Sequence, residues 1–237
     1  MPLIDFIAAT LAVIAGSVVQ VASGVGGGFI IVPLLALIDV GLIPAPLIFA
    51  SLSLSTLMAW REWHAVDHTN TGYIFTGLTL GSVLGGWLLA SIPGDRLGLV
   101  FGSVILLAIV VTLLGRRIPL NGATGTVTGI VSGAMGTSSG IGAPPLALLY
   151  QDQSGAKIRA TLAVLYTGAS LIILVILFGY GKFGLNEARD GLLLVPGFVL
   201  GYWLANRWTP HVDQGHARVA VLTVSAAAAI FLIIRNL

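Results

Sequence analysis

The sequence has no cysteine and very little charge. Its 237 residues include 11 Lys and Arg and 9 Asp and Glu, 8% in all. Lack of cysteine excludes disulfides, thiolate metal sites and iron–sulfur ligation by Cys. The scarcity of charge excludes an ordinary soluble domain, in which about a quarter of residues are charged. No apolar block carries Asp, Glu, Lys or Arg at its middle, so nothing in the sequence supports proton coupling; uniport, or cation coupling through backbone carbonyls, stays open. A Ser-His-Asp arrangement, an HExxH motif and a Walker-type loop are also lacking, which leaves a membrane-embedded enzyme with little support and no cofactor expected. The start, Met1-Pro2-Leu3-Ile4-Asp5, has no Lys/Arg-rich leader, so the first apolar block is expected to be retained.

What is present is hydrophobic. Apolar residues make up 57% of the chain and the mean hydropathy is +1.01. Most apolar blocks approach the roughly 20 residues that a helix needs to cross a bilayer, and short polar links separate them. The expected fold is an all-α, multi-pass integral membrane protein. The formal charge of +2 and pI of about 9.2 come from Lys and Arg in the links, which reads as anchoring to a lipid bilayer surface and not as a nucleic-acid footprint.

One pattern occurs twice. Gly24-Val25-Gly26-Gly27-Gly28 leads to Pro33, and Gly136-Thr137-Ser138-Ser139-Gly140 leads to Pro145, 112 residues later. Farther along, Gly81 to Ala90 is answered by Gly197 to Asn206 at an offset of 116. The chain therefore divides into two membrane repeats, 1–117 and 118–237, within one structural domain. Each glycine break is followed by ten apolar residues, Phe29 to Ile38 and Ile141 to Tyr150, about half a bilayer as helix. That length suits the returning arm of a re-entrant hairpin. Three full spans then remain per repeat, an odd number, so the repeats are expected to be inverted. On this reading Arg61, Arg116, Arg117, Lys157, Arg159, Arg207 and Arg218 face Arg96, Lys182, Arg189 and Arg235, and the excess places both termini outside.

Glycine-rich backbone within an apolar block leaves N–H groups that lipid cannot satisfy. Pro33 and Pro145 are structural residues expected in the first turn of the following helices, where a missing N–H costs least. Two helix N-termini then offer N–H donors and dipole ends to an anion. The candidate substrate-binding residues are Gln20, Ser23, Gly24, Gly26, Gly27 and Gly28 at the first break, and Gly136, Thr137, Ser138, Ser139 and Gly140 at the second. Close helix packing is the rival account of a single such glycine run; duplication with a following proline favours an anion site. Ser55 and Tyr166 are polar positions on later helices, alongside Ser51, Thr56, Thr167 and Ser170. Arg159 is a candidate anion guide, with interfacial snorkelling as its commoner role. The sets Gly77, Gly81, Gly85 and Gly197, Gly201, Ala205 are assigned to helix packing. His64, Asp67 and His68 could hold a metal if helical but fall in a charged link, so no metal is expected there.

Taken together, the glycine stretch ending Val32-Pro33, its counterpart ending Ala143-Pro144-Pro145 and the paired Gly81 and Gly197 segments resemble the TauE/SafE family of sulfite and organosulfonate transporters over nearly the whole chain. The resemblance implies export of a sulfur oxyanion across a bacterial inner membrane, with Gly24, Gly26, Gly27, Gly28 and Pro33, then Gly136, Ser138, Ser139, Gly140 and Pro145, as the matching positions. A small anionic substrate bound between two hairpin tips, moved by a secondary transporter, is the expected function; an anion channel is the first alternative. Homodimerisation stays open.

Overall fold

The computed structural model describes residues 3–115, 118–208 and 214–235. Arg116 and Arg117, at the expected repeat boundary, lie outside the described residues, and of the Arg218 and Arg235 side chains nothing is described. Every regular element among the described residues is helical. Ten α-helices follow in order: α1 (Leu3–Ser23), α2 (Gly27–Ile38), α3 (Ala45–Arg61), α4 (His68–Ser91), α5 (Leu97–Leu114), α6 (Gly122–Ser139), α7 (Ala143–Tyr150), α8 (Gly155–Gly179), α9 (Leu185–Trp208) and α10 (Gln214–Arg235). Four of them, α1, α4, α5 and α8, are long and apolar enough to cross a membrane. The chain is thus an all-helical membrane protein.

Local sequence sets the helix ends. Asp67 caps α4 by accepting from the Thr69 N–H, Ser154 caps α8 by accepting from Lys157, and Asn121 with Thr124 forms a reciprocal capping box on α6. Gly115 and Gly140 close α5 and α6 in left-handed backbone, at φ 55° and 80°. α2 and α7 differ in length, 12 and 8 residues, from the ten-residue arms expected. α1 and α6, which precede the two breaks, are 21 and 18 residues long, so the helices flanking the breaks are unequal on both sides.

The position of Pro33 is a correction. α2 begins at Gly27, so Pro33 lies in its interior and not in its first turn. An interior proline leaves the carbonyl four residues earlier without its N–H donor. That carbonyl belongs to Phe29, and the Ser225 hydroxyl of α10 donates to it. Pro145 does lie in the first turn, two residues after Ala143.

Helices α4 and α6 make the most extensive interhelical contact, followed by α1 with α9 and α3 with α9. Glycines allow the backbones to touch. A Cβ on Gly81 would lie 2.0 Å from the Ile130 carbonyl, and one on Gly133 would lie 2.3 Å from that of Leu78. Gly197 meets Val13 and Gly201 meets Ser17 in the same manner. Gly77 meets Thr126 and Gly85 meets Ala134, so α4 runs parallel to α6, and the Gly197 and Gly201 contacts make α1 parallel to α9. Gly191 meets Pro46 while Arg61 reaches Asn206, so α3 and α9 are parallel. Gly168 meets Phe75 and Gly86 meets Ile176, so α4 and α8 are parallel too. Glu62 after the end of α3 pairs with Arg159 near the start of α8, and these two helices are antiparallel. α2 packs on α10, and α7 on α5.

Candidate functional site

The two glycine breaks have the same local construction. At the first, the Gly24 N–H donates to the Gln20 carbonyl at 2.8 Å, the Ser23 hydroxyl donates to Val19 at 2.8 Å, and the Val25 N–H reaches the Ser23 Oγ at 3.3 Å. At the second, the Gly140 N–H donates to Gly136 at 2.8 Å, Ser139 donates to Met135 at 2.8 Å, and the Ile141 N–H reaches the Ser139 Oγ at 3.4 Å. Gly24 and Gly140 both turn left-handed, at φ 81° and 80°, a conformation that glycine adopts without a Cβ penalty. The equivalent sequences are Ser23-Gly24-Val25-Gly26 and Ser139-Gly140-Ile141-Gly142, 116 residues apart. This corrects the offset of 112, which paired residues one helical turn out of step.

The breaks meet in space. A Cβ on Gly28 would lie 3.7 Å from Ile141 and 3.8 Å from the Gly140 carbonyl. Beside this contact is a cavity of about 140 Å³, large enough to admit water. Gln20, Gly26, Gly27, Gly28, Gly136, Gly140, Ser55 and Tyr166 line it, as do Ser51, Ser132, Gly142, Ala143 and Ser170. Its remaining wall is apolar and includes Phe29, Leu54, Met58, Ile141, Ile173 and Phe198. Both breaks and both antiparallel helices α3 and α8 therefore contribute. No Lys, Arg, His, Asp or Glu lines it among the described residues, so any charge entering meets dipoles and hydroxyls alone.

Each break is braced across its two arms by one polar side chain. The Gln20 Nε2 donates to the Gly24 carbonyl at 3.0 Å, and its Oε1 accepts from the Gly27 N–H at 3.0 Å. Ser132 performs the second brace by donating to the Gly142 carbonyl. Serines 51 and 55 donate within α3, to Ile48 at 3.0 Å and Leu52 at 3.2 Å. The Tyr166 hydroxyl is buried beside the Gln20 amide.

Several candidates lie outside the cavity lining. Ser23, Gly24 and Ser139 shape the turns, as above. Ser138 donates to Met135 at 3.3 Å, and Thr137 is fully buried against Gly85 of α4. The Nε of Arg159 donates to both Glu62 oxygens, at 2.9 and 3.1 Å, and its backbone would lie 3.0 Å from a Cβ on Gly24. Arg159 thus closes one end of the α3–α8 pair over the first break. Around it, Arg61 pairs with Glu62 and Asn206, and the Lys157 ammonium lies 3.8 Å from Asp67. Thr56 and Thr167 line a separate surface groove. His64 and His68 are exposed, and Asp67 is occupied with capping α4.

Ser132 was not singled out by sequence reasoning. It is one of many hydroxyl residues in α6, and its partner lies ten positions away across the turn. The repeated Ser-Gly-Val/Ile-Gly tetrapeptide, together with the same offset in the Gly81 and Gly197 segments, carries the signal that would have found the correct register.

A family model described as "Sulfite exporter TauE/SafE" matches residues 8–232. No curated protein and no solved structure matches the chain significantly. The chain belongs to the TauE/SafE family, a family of membrane transporters.

Proposed function

We propose that this chain is a secondary transporter that exports a small sulfur oxyanion, sulfite or an organosulfonate, with the anion bound where the two glycine breaks meet. One observation carries the reading: two breaks of identical construction converge on a cavity with neutral donors and no lining cation. A sulfonate or sulfite head spreads its charge over three acceptor oxygens and is suited to several N–H and O–H donors. The N-terminus of α2, opened by Gly27 and Gly28, adds a favourable dipole.

Residues 1–117 and 118–237 are read as inverted repeats, each a re-entrant hairpin plus three spans. The helix directions support this. α1 and α3 run parallel to α9, whereas α6 and α8 run parallel to α4, and α3 opposes α8. Helices α1, α3 and α4 thereby oppose their equivalents α6, α8 and α9, as expected for transporters whose repeats rock around a shared site. The Glu62–Arg159 pair acts as a clasp at one end of that site. A bacterial inner membrane fits the exporter reading.

Counterflow of labelled sulfite into proteoliposomes tests this directly. Liposomes preloaded with unlabelled sulfite or sulfoacetate are expected to accumulate label transiently, with sulfate, taurine and chloride ranking below. Flux that no preload stimulates would overturn the carrier reading and favour an anion channel.

A further inference from the structure

We propose that Glu62 is a tethered stand-in for the substrate: it fills an oxyanion seat between the guanidinium groups of Arg61 and Arg159, and an incoming sulfur oxyanion displaces it to open the clasp. This rests on the exporter reading and adds a second anion site outside the cavity. The Glu62 Oε1 accepts from both sides, from Arg61 Nη2 and from Arg159 Nε at 2.9 Å, while Oε2 accepts from the same Nε at 3.1 Å. One carboxylate thus serves two guanidiniums, and the triad carries an excess positive charge. Lys157 and Asp67 nearby pair with each other at 3.8 Å and leave that excess in place. Arg61 is held by Asn206 and lies 5.6 Å over the Tyr202 ring. The Nη1 and Nη2 groups of Arg159 make no hydrogen bond among the described residues, so donors remain for a third oxygen, which a sulfite or sulfonate head has and a carboxylate lacks.

The seat borders the cavity. The Glu62 N–H donates at 3.2 Å to the carbonyl of Met58, a lining residue one turn earlier. Arg159 lies against Gly24 at the first break, two turns or about 10 Å of helix before the lining residue Tyr166. Emptying the seat would leave two partly buried guanidiniums without a counterion, which is strongly unfavourable. Replacing one anion by another conserves the charge, and a forked oxyanion matches guanidinium geometry where a spherical halide does not. Release of Glu62 is therefore coupled to the arrival of an oxyanion, and without one the clasp stays shut. The device belongs to one end of the molecule: at the offset of 116 the counterparts of Arg61, Glu62 and Arg159 are Leu177, Phe178 and Ile43. The two entrances to the shared site are thereby made chemically different.

The test reads the rise in melting temperature produced by sulfite or sulfoacetate over equal chloride in wild type, Glu62→Gln and Glu62→Gln/Arg159→Gln, each purified as the full chain. With the tethered competitor gone, Glu62→Gln should melt lower than wild type without anion and gain at least about twice the wild-type rise when the anion is added. The double variant should gain no more than wild type. A second measurement needs no variant: phenylglyoxal modification of wild type, mapped by peptide mass. Sulfoacetate is used there, because sulfite adds to the reagent's aldehyde. It should slow modification of Arg159 at least about threefold relative to chloride while the exposed Arg207 reacts unchanged. A rise in Glu62→Gln no larger than in wild type, or equal modification of Arg159 in both salts, would each overturn the seat while a wild-type rise leaves the exporter reading intact. If Glu62→Gln does not fold, the modification rates decide alone. Wild type stabilised by neither anion would overturn the exporter reading itself.

Discussion

The first break and the second share a backbone and differ in how the two arms fit together. At the first, the bulk is on the leading arm: Gln20 reaches across, and the facing residue is Gly27, where a Cβ would lie 2.6 Å from the Gly16 carbonyl and 2.8 Å from the Gln20 Cβ. At the second, the equivalent positions are Gly136 and Ala143. The side chain has moved to the returning arm, and a Cβ on Gly136 would meet nothing closer than 3.5 Å. The braces differ correspondingly, an amide with two bonds against a hydroxyl with one. After the turn, Gly28 and Phe29 retain their N–H groups whereas their counterparts Pro144 and Pro145 have none. The two breaks thus share the turn, and the residues that follow it leave one tip with more backbone N–H groups and the other with a stiffer backbone.

This contrast can be broken most severely at the glycines. Gly27→Ala forces a methyl into backbone and is expected to cost about 1–3 kcal/mol or more as overpacking, while Gly136→Ala should stay within about 0.5 kcal/mol of wild type or stabilise its helix. Thermal unfolding and monodispersity of the two variants decide it; equal losses would mean that the arms are not packed as described. Removing the braces is expected to have a smaller effect. Gln20→Ala leaves two backbone groups unpaired, for about 1–3 kcal/mol, and Ser132→Ala one, for about 1 kcal/mol. Hydrogen exchange should rise at residues 24–28 in the first variant and at 140–144 in the second, and a rise at both breaks in either variant would deny their independence.

The clasp gives the sharpest functional effect. Glu62 and Arg159 retain only 15% and 27% side-chain exposure, so Glu62→Gln should cost about 1–3 kcal/mol. A thiol introduced as Ser55→Cys in this cysteine-free chain reports access to the cavity. Its modification by a membrane-impermeant reagent from the Glu62 side should accelerate several-fold when Glu62→Gln is added. An unchanged rate would show that the pair does not restrict entry.

Much of this organisation was legible in the sequence. Glycine density located both breaks, because no other residue turns left-handed at Gly24, Gly26 and Gly140 as readily, and eight of the candidate residues line the cavity. The register was harder. Glycine count and the downstream prolines match best at 112, yet hydrogen bonding of the turn follows Ser23 and Ser139 at 116. Pro33 misled for a related reason: a serine almost 200 residues later replaces the missing donor, and no local pattern shows that. The role of Gln20 was equally hidden, since its partners follow it across a turn whose shape the sequence does not specify.

The packing of α1 on α9 and of α2 on α10 has a consequence for how the chain is made. The first hairpin finds its main neighbours outside itself in α9 and α10, which are synthesised last. At about 5–20 residues per second, α9 follows α1 from the ribosome by on the order of ten seconds or more. Through that interval the Phe29 carbonyl has no Ser225 and the small-residue face of α1 has no Gly201. Lipid offers no hydrogen bonds in exchange, so the Phe29 carbonyl is expected to depend on water or another donor until translation of the last two helices is complete.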